Sequence, residues 1–337
     1  MLRETKKEVS FADIAYSHAE KKWERHWLKR VLDMVYWKRF KKKFKKLYSE
    51  DEGRPAWDPV VLFRCLLLAE WNTLSDRQLE EAIEFRYDFR KFAGIPLDQE
   101  APDATTYVIF RQRIAHLWEE LLEEINSQLE QDGYSVYKAV AIDATLVEAH
   151  SKPKKTKGDK EGRGSGGDPD GSWRGFPAKK TKDSEGNEVV ARRPALYGYK
   201  VTLSASVRHG FIGKITVSKA SEHETHQMKK LIDRDTKAVY ADKGFVGNRS
   251  LVQRKGIRDG IQAKATRGHA LTRQEIERNK RITRKRRIVE GVFGSWKQWH
   301  EWRKTRFMGL ARNTFAVSMT AISWNMKKWA RYEMVPC

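Results

Sequence analysis

Two short β-like runs in this chain each end on an aspartate. Tyr137–Ile142 runs into Asp143 within VAIDATLVEAH, and Ala238–Ala241 runs into Asp242 within VYADKGF. A third acid, Glu290, lies in RKRRIVEGVFGSWK, a segment of helical periodicity. Two strand ends and a helix can carry three carboxylates to one place. Hard divalent cations require an oxygen cage of that kind, and two such cations can clamp the attacking and leaving oxygens of a phosphodiester. The fold must therefore be one in which β-runs about a hundred residues apart in sequence become neighbours.

The order of elements narrows that choice. Residues 11–133 read as helices. Trp23, Trp27, Val31, Met34, Val35 and Phe44 recur at helical spacing among basic residues. After the Gly53-Arg54-Pro55 break, Asp58 can cap a helix from Pro59 through VVLFRCLLLAEW. Ser75 and Gln78 have the spacing of a capping box, followed by Leu79, Ile83 and Phe85. A third helix follows Pro102-Asp103-Ala104-Thr105. Short helices joined by tight turns suit a helix-turn-helix-like DNA module, or a helical bundle that only dimerises.

From Tyr137 the pattern turns to β. Tyr137–Asp143 is the first expected strand. Residues 150–195 are of low complexity, rich in Lys, Gly and Asp, and read as a mobile basic insert. Tyr199–Val207 and Phe211–Ser218 alternate and form an expected hairpin about Arg208-His209-Gly210. Then come a helix at His223–Ile232, a strand at Lys237–Asp242, a helix at Asn248–Lys255, a strand at Gly260–Lys264, and mostly helix from Thr272. The sequence thus predicts an α/β fold, a ribonuclease-H-like mixed sheet flanked by helices, with an N-terminal all-helical DNA-binding domain. The expected boundaries are 1–133 for the helical DNA-binding and dimerisation domain and 134–337 for the catalytic domain, which carries the 150–195 insert.

Helix geometry tests the third acid. At about 100° per residue, Arg286, Glu290 and Lys297 share one face, while Ile282, Val289, Phe293 and Trp296 form an apolar seam beside it. A carboxylate flanked by two cations on the edge of a buried seam suits metal plus phosphate. Glu148 and His150 follow the first strand as weaker candidates, and His223 and Glu224 read more simply as a helix start.

Charge points to the partner. Lys+Arg number 67 against 45 Asp+Glu, a net charge of +22. That favours a polyanion, and DNA above all. The basic run Lys38–Lys46, with Lys41, Lys42 and Lys43, supplies expected phosphate contacts. So does Arg278–Arg287, with Arg284, Lys285, Arg286 and Arg287, and so do Lys297 and Lys243. Twelve tryptophans argue for a packed core rather than a basic packaging protein. No apolar run is long enough for a membrane span, so a cytoplasmic, nucleoid-associated protein is expected. Cys65, within an apolar run, reads as a small buried hydrophobe.

Several blocks carry a resemblance. GRPAWDPVVLFRCLLLAEWNTLSDRQLEEAIEFRYDFRKFAGI, PDATTYVIFRQRI, AIDATLVEAH and VYADKGF resemble the bacterial DDE transposases of the insertion sequence 5 family. That family places Tyr, Arg, Glu and Lys around its glutamate. Arg286, Glu290 and Lys297 fit, and Thr283 stands at the tyrosine position. The resemblance implies Asp143, Asp242 and Glu290 as catalytic and metal-binding residues, with Mg²⁺ or Mn²⁺ as cofactor. It further implies cleavage of terminal inverted repeats, joining of 3′-hydroxyl ends to target DNA, and work as a homodimer or higher oligomer. A metal-dependent nuclease and a transposase-derived regulator are the alternatives.

Overall fold

The computed structural model describes residues 17–48, 56–154, 166–182, 188–191 and 194–333. They divide into two compact units, one of 1–136, 211–213 and 318–337, the other of 137–210 and 214–317.

The first unit is helical. Its elements are α1 (Ser17–Trp23), α2 (Trp27–Met34), α3 (Trp37–Lys45), α4 (Pro59–Asn72), α5 (Asp76–Phe85), α6 (Tyr87–Ala93), α7 (Ala104–Ile114) and α8 (Trp118–Gln131). The first aromatic-rich stretch is broken into three helices, because His26 and Tyr36 take extended or irregular backbone as N-caps. Helix α4 is apolar on nearly every side, and Val60–Leu68 is buried apart from Arg64. Such a helix belongs in the centre. Asp58 caps it by accepting from the Val60 amide at 2.8 Å. Phe63 of α4 stacks on Phe40 at 5.2 Å and meets Phe44 edge-on at 5.4 Å, which sinks the apolar stripe of α3. Ser75 and Gln78 form the expected capping box on α5. Leu79 and Ile83 are buried, and Phe85, which ends α5, is exposed. Cys65 is buried and its thiol is pushed up to about 12 by desolvation, so it behaves as a hydrophobe.

The last helix of the chain, α12 (Leu310–Tyr332), gives its second half to this unit. The Trp71 indole donates to the Ser323 carbonyl at 2.9 Å, and Thr320 donates to Glu70 at 2.6 Å. Asn126 and Asn325, both buried, explain why 211–213 clusters here. Asn126 donates to the carbonyls of Ile212 and Gly213, and the Ile212 amide donates to Asn325.

The second unit is a mixed α/β structure. Its strands are β1 (Ala139–Glu148), β2 (Ser172–Arg174), β3 (Lys179–Lys182), β4 (Glu188–Ala191), β5 (Leu196–Ser206), β6 (Ile212–Lys219), β7 (Ala238–Ala241) and β8 (Arg258–Ile261). The main sheet runs β2-β5-β1-β7-β8, with β6 on β5, and β3-β4 is a separate hairpin. β1 pairs antiparallel with β5 and parallel with β7, and β7 is parallel to β8. Val140, Ile142, Val239 and Ala241 face one side, against Met228 and Leu231 of α9 (Met228–Leu231) and Val252 of α10 (Arg249–Arg254). On the other side Ala139, Ala238 and Tyr240 pack on Ile282 of the long helix α11 (Arg273–Trp299).

The insert differs from expectation. Asp168 is fully buried and accepts from the Gly309 amide at 3.1 Å. Asp170 accepts from the Leu310 amide at 2.7 Å, and β2 pairs with the edge of β5. Residues 166–174 are therefore part of the fold. They are held because the start of α12 has amide donors that need acceptors. Residues 155–165, 183–187 and 192–193 of the expected insert lie outside the described residues.

Candidate active site

Strand register brings the first two acids together. β1 and β7 are parallel, and their last paired residues are Ile142 and Ala241. Asp143 is the next residue on β1, which does not end there as expected but runs on to Glu148 because β5 continues to pair with it, and Asp242 is the first residue past β7. By the two-residue alternation of a strand, Asp143 shares the face of Ala139 and Ala141, the face covered by α11. Asp242 leaves the strand at once: its Oδ1 accepts from the Gly244 amide at 2.8 Å and so caps the 3₁₀ turn Lys243–Asn248. The C-terminal ends of parallel strands are the usual place for a site in an open α/β sheet.

Helix α11 supplies the rest. It opens on a capping box between Thr272 and Glu275 and continues to Trp299. Ile282, Val289, Phe293 and Trp296 are buried, as the periodicity predicts. Arg286 is also buried, at 8% exposure, with its guanidinium 2.9 Å from Asp143 Oδ2 and 3.8 Å from Glu290 Oε1. It is turned towards the acids rather than displayed to solvent. Glu290 is half-exposed.

The electrostatics follow from that arrangement. Burial pushes the Asp143 carboxyl up to about 6, against the opposing pull of Arg286 and of the Ala144 amide; the charges of Asp242 and Glu290 push it further up. The three acids thus feel one another. Among the described residues, however, no three acidic, histidine or cysteine side chains close into a metal-ligating cluster. Instead Asp143 is turned onto Arg286. The donor set still suits a hard divalent cation, being all carboxylate oxygen, and one guanidinium does not neutralise three carboxylates. Lys297 is half-buried, its basicity lowered by burial and by Arg303 and partly restored by Asp143.

The other expected residues divide. Lys243, Arg284 and Arg287 are exposed, and the Lys285 ammonium lies over the Tyr240 ring at 5.0 Å. Lys41 and Lys43 are engaged within their own unit, by Asp58 at 2.9 Å and Glu124 at 3.5 Å, while Lys42 is exposed. Glu148 pairs with Lys152, and His223 caps a 3₁₀ turn, so both have structural work. Trp296 and Trp302 are buried and Trp299 is exposed. Thr283, at the family's tyrosine position, accepts from Gln262 at 2.8 Å and donates to the Asn279 carbonyl at 2.9 Å. It ties α11 to the end of β8. Reading the sequence missed Lys200, a buried lysine inside a strand. A cation at such a position needs a partner, and that requirement could have flagged it.

The profile of the transposase DDE domain matches residues 134–326, which include all three acids. The chain belongs to the DDE transposase family. A second transposase-domain profile matches residues 17–113. The transposase for insertion sequence element IS1106 of Neisseria meningitidis serogroup B is 29% identical over 225 residues, 64% of this chain and 74% of that one. Among solved structures, the Mos1 strand transfer complex aligns with 80% of this chain and 86% of that one. Its 9% identity and TM-score of 0.20 are too low to bear on the fold. Among the described residues of this transposase, no helix is long and apolar enough to cross a membrane.

Proposed function

We propose that this transposase cuts the terminal inverted repeats of an insertion sequence of the insertion sequence 5 type and joins the freed 3′-hydroxyl ends to target DNA. The observation that supports this most is the strand register. It sets Asp143, within β1, beside Asp242 where the parallel pairing with β7 stops, with the glutamate helix delivering Arg286 to 2.9 Å from Asp143. The element order around that register supports a ribonuclease-H-like catalytic unit.

Asp143, Asp242 and Glu290 would hold Mg²⁺ or Mn²⁺. Bound there, the metal would supply a water of lowered pKa and a counter-charge for the leaving 3′ oxygen, in the two-ion manner of phosphodiester hydrolysis. Asp143 must give up its proton, held up to about pH 6, for the cage to form. Arg286 would then exchange a carboxylate for a phosphate oxygen, and Lys297, whose charge acts on Asp143, would add a second cation for that phosphate. Water attacks the element end first. The released 3′-hydroxyl attacks a target phosphodiester second, so no covalent enzyme intermediate is needed. Lys243, Arg284, Lys285 and Arg287 would guide the backbone in, and the helical unit, with Lys42 exposed, would bind the repeats. The protein would act as a homodimer or larger oligomer on paired ends.

The test uses a labelled duplex carrying the element's terminal repeat and a supercoiled plasmid. Metal-dependent cutting and joining, abolished by EDTA and by Asp242→Asn, is expected. Cutting without joining would indicate a nuclease instead. Asp143→Asn or Glu290→Gln that retained full end cleavage would overturn the assignment of the acids.

A further inference from the structure

A second ion pair approaches Asp242 from beyond the three acids. Lys200 lies on β5 opposite Leu146 of β1, and that residue is one step out of phase with Asp143. It therefore faces the side of the sheet away from α11. Lys200 is 2% exposed, its ammonium donates to the Glu222 carbonyl, and it sits 3.6 Å from Glu224 Oε1. Burial and Arg174 lower its basicity, and Glu224 restores part of it. The other oxygen of Glu224 points at the turn that carries Asp242. A methyl group built on Gly244 would lie 2.9 Å from Asp242 Oδ1 and 3.2 Å from Glu224 Oε2. Asn248, at the end of the same turn, donates to the Thr225 carbonyl at 2.9 Å. The turns 224–226 and 243–248 are thus bonded through Asn248 and packed together at Gly244, where glycine keeps the space between the two carboxylates open.

We propose that Glu224 is a positioning residue for Asp242, with the buried Lys200 as its anchor. Asp242 leaves its strand at once and owes its orientation to the Gly244 amide. The Gly244 turn in turn lies against the Glu224 carboxylate. The chain of contact runs from Lys200 to Glu224, to the Gly244 turn, to Asp242. This rests on the reading of Asp242 as a metal ligand. Removing partners that orient a ligand costs about 10- to 100-fold in metal affinity.

The experiment is Mn²⁺ titration of the full chain followed by electron paramagnetic resonance, with thermal unfolding alongside. Glu224→Gln keeps the volume and loses the charge, and it is expected to weaken Mn²⁺ binding about tenfold or more. The double variant Glu224→Gln/Lys200→Met removes the unpaired ammonium too. It should fold at least as well as the single variant and still bind Mn²⁺ about tenfold more weakly. If Glu224 serves only to neutralise Lys200, the double variant recovers wild-type Mn²⁺ affinity, and the proposal falls. It falls equally if Glu224→Gln binds Mn²⁺ as the wild type does while Asp242→Asn does not, and in that case the assignment of Asp242 stands. Asp242→Asn binding Mn²⁺ as well as the wild type overturns both.

Discussion

Asp143 carries the sharpest consequence at the scale of a single residue. Its carboxyl ordinarily titrates near about 3.9, and in the folded chain near about 6. The folded state therefore holds a proton that the unfolded state has released. Between those values stability falls as pH rises, and above about 6 the full cost of a buried charge is present. A bound cation removes that cost only where the carboxyl is ionised. Mn²⁺ should therefore raise the melting temperature clearly at pH 7.5 and hardly at pH 5, measured by thermal unfolding with and without the metal. An equal rise at both values would contradict the titration assigned to Asp143. Arg286 holds that carboxyl down. Arg286→Met should therefore move the midpoint of Mn²⁺ binding to higher pH, read from titrations across pH 5 to 8. An unmoved midpoint would mean that the 2.9 Å contact is not made in solution.

Elements were legible where a local rule decides them. Asp58 and Ser75 each cap the helix that the sequence assigns to them, and Thr272, from which helix was expected, caps α11. The apolar seam of α11 lies where the 3.6-residue period puts it. Capping boxes of this kind are worth about 1 kcal/mol, so Thr272→Ala should destabilise the catalytic unit by about that amount in urea unfolding. No loss at all would mean that α11 is held by its seam alone. What was not legible depends on the third dimension. β5 alternates as a half-buried strand would, yet its polar residues Lys200, Thr202, Ser204 and Ser206 are buried as well, because elements cover both of its faces. Asp242 follows a strand end as the sequence predicts, but Asp143 lies within β1, whose continuation to Glu148 on β5 the short apolar run did not reveal. Arg286 was expected to contact phosphate, and its contact with Asp143 needed the crossing of α11 over β1. Thr283 has a bond to Gln262 that no linear motif encodes.

At the scale of the whole chain, the +22 charge and the basic insert raise the question of what holds protein and what holds DNA. The described parts of the insert hold protein. Asp168 and Asp170 fasten the start of α12, and the Asp168 amide donates to the Ser151 carbonyl at 3.1 Å. A methyl on Gly167 would lie 2.6 Å from the Pro153 nitrogen. Residues 151–154 and 166–168 are therefore neighbours. The stretch from 155 to 165 carries Lys155, Lys157, Lys160 and Arg163 against Asp159 and Glu161. Excising 155–165 should leave the unfolding transition unchanged, since the fastening residues Asp168 and Asp170 are kept. It should weaken DNA binding and flatten the slope of log affinity against log salt by about 1 to 3. Asp168→Ala should do the reverse. It leaves the partly buried Gly309 amide without its acceptor, costs about 1 kcal/mol or more of stability, and keeps the salt slope. An excision that unfolds the chain, or an Asp168 variant that weakens DNA binding without loss of stability, would show that anchoring and DNA contact are not separated in this way.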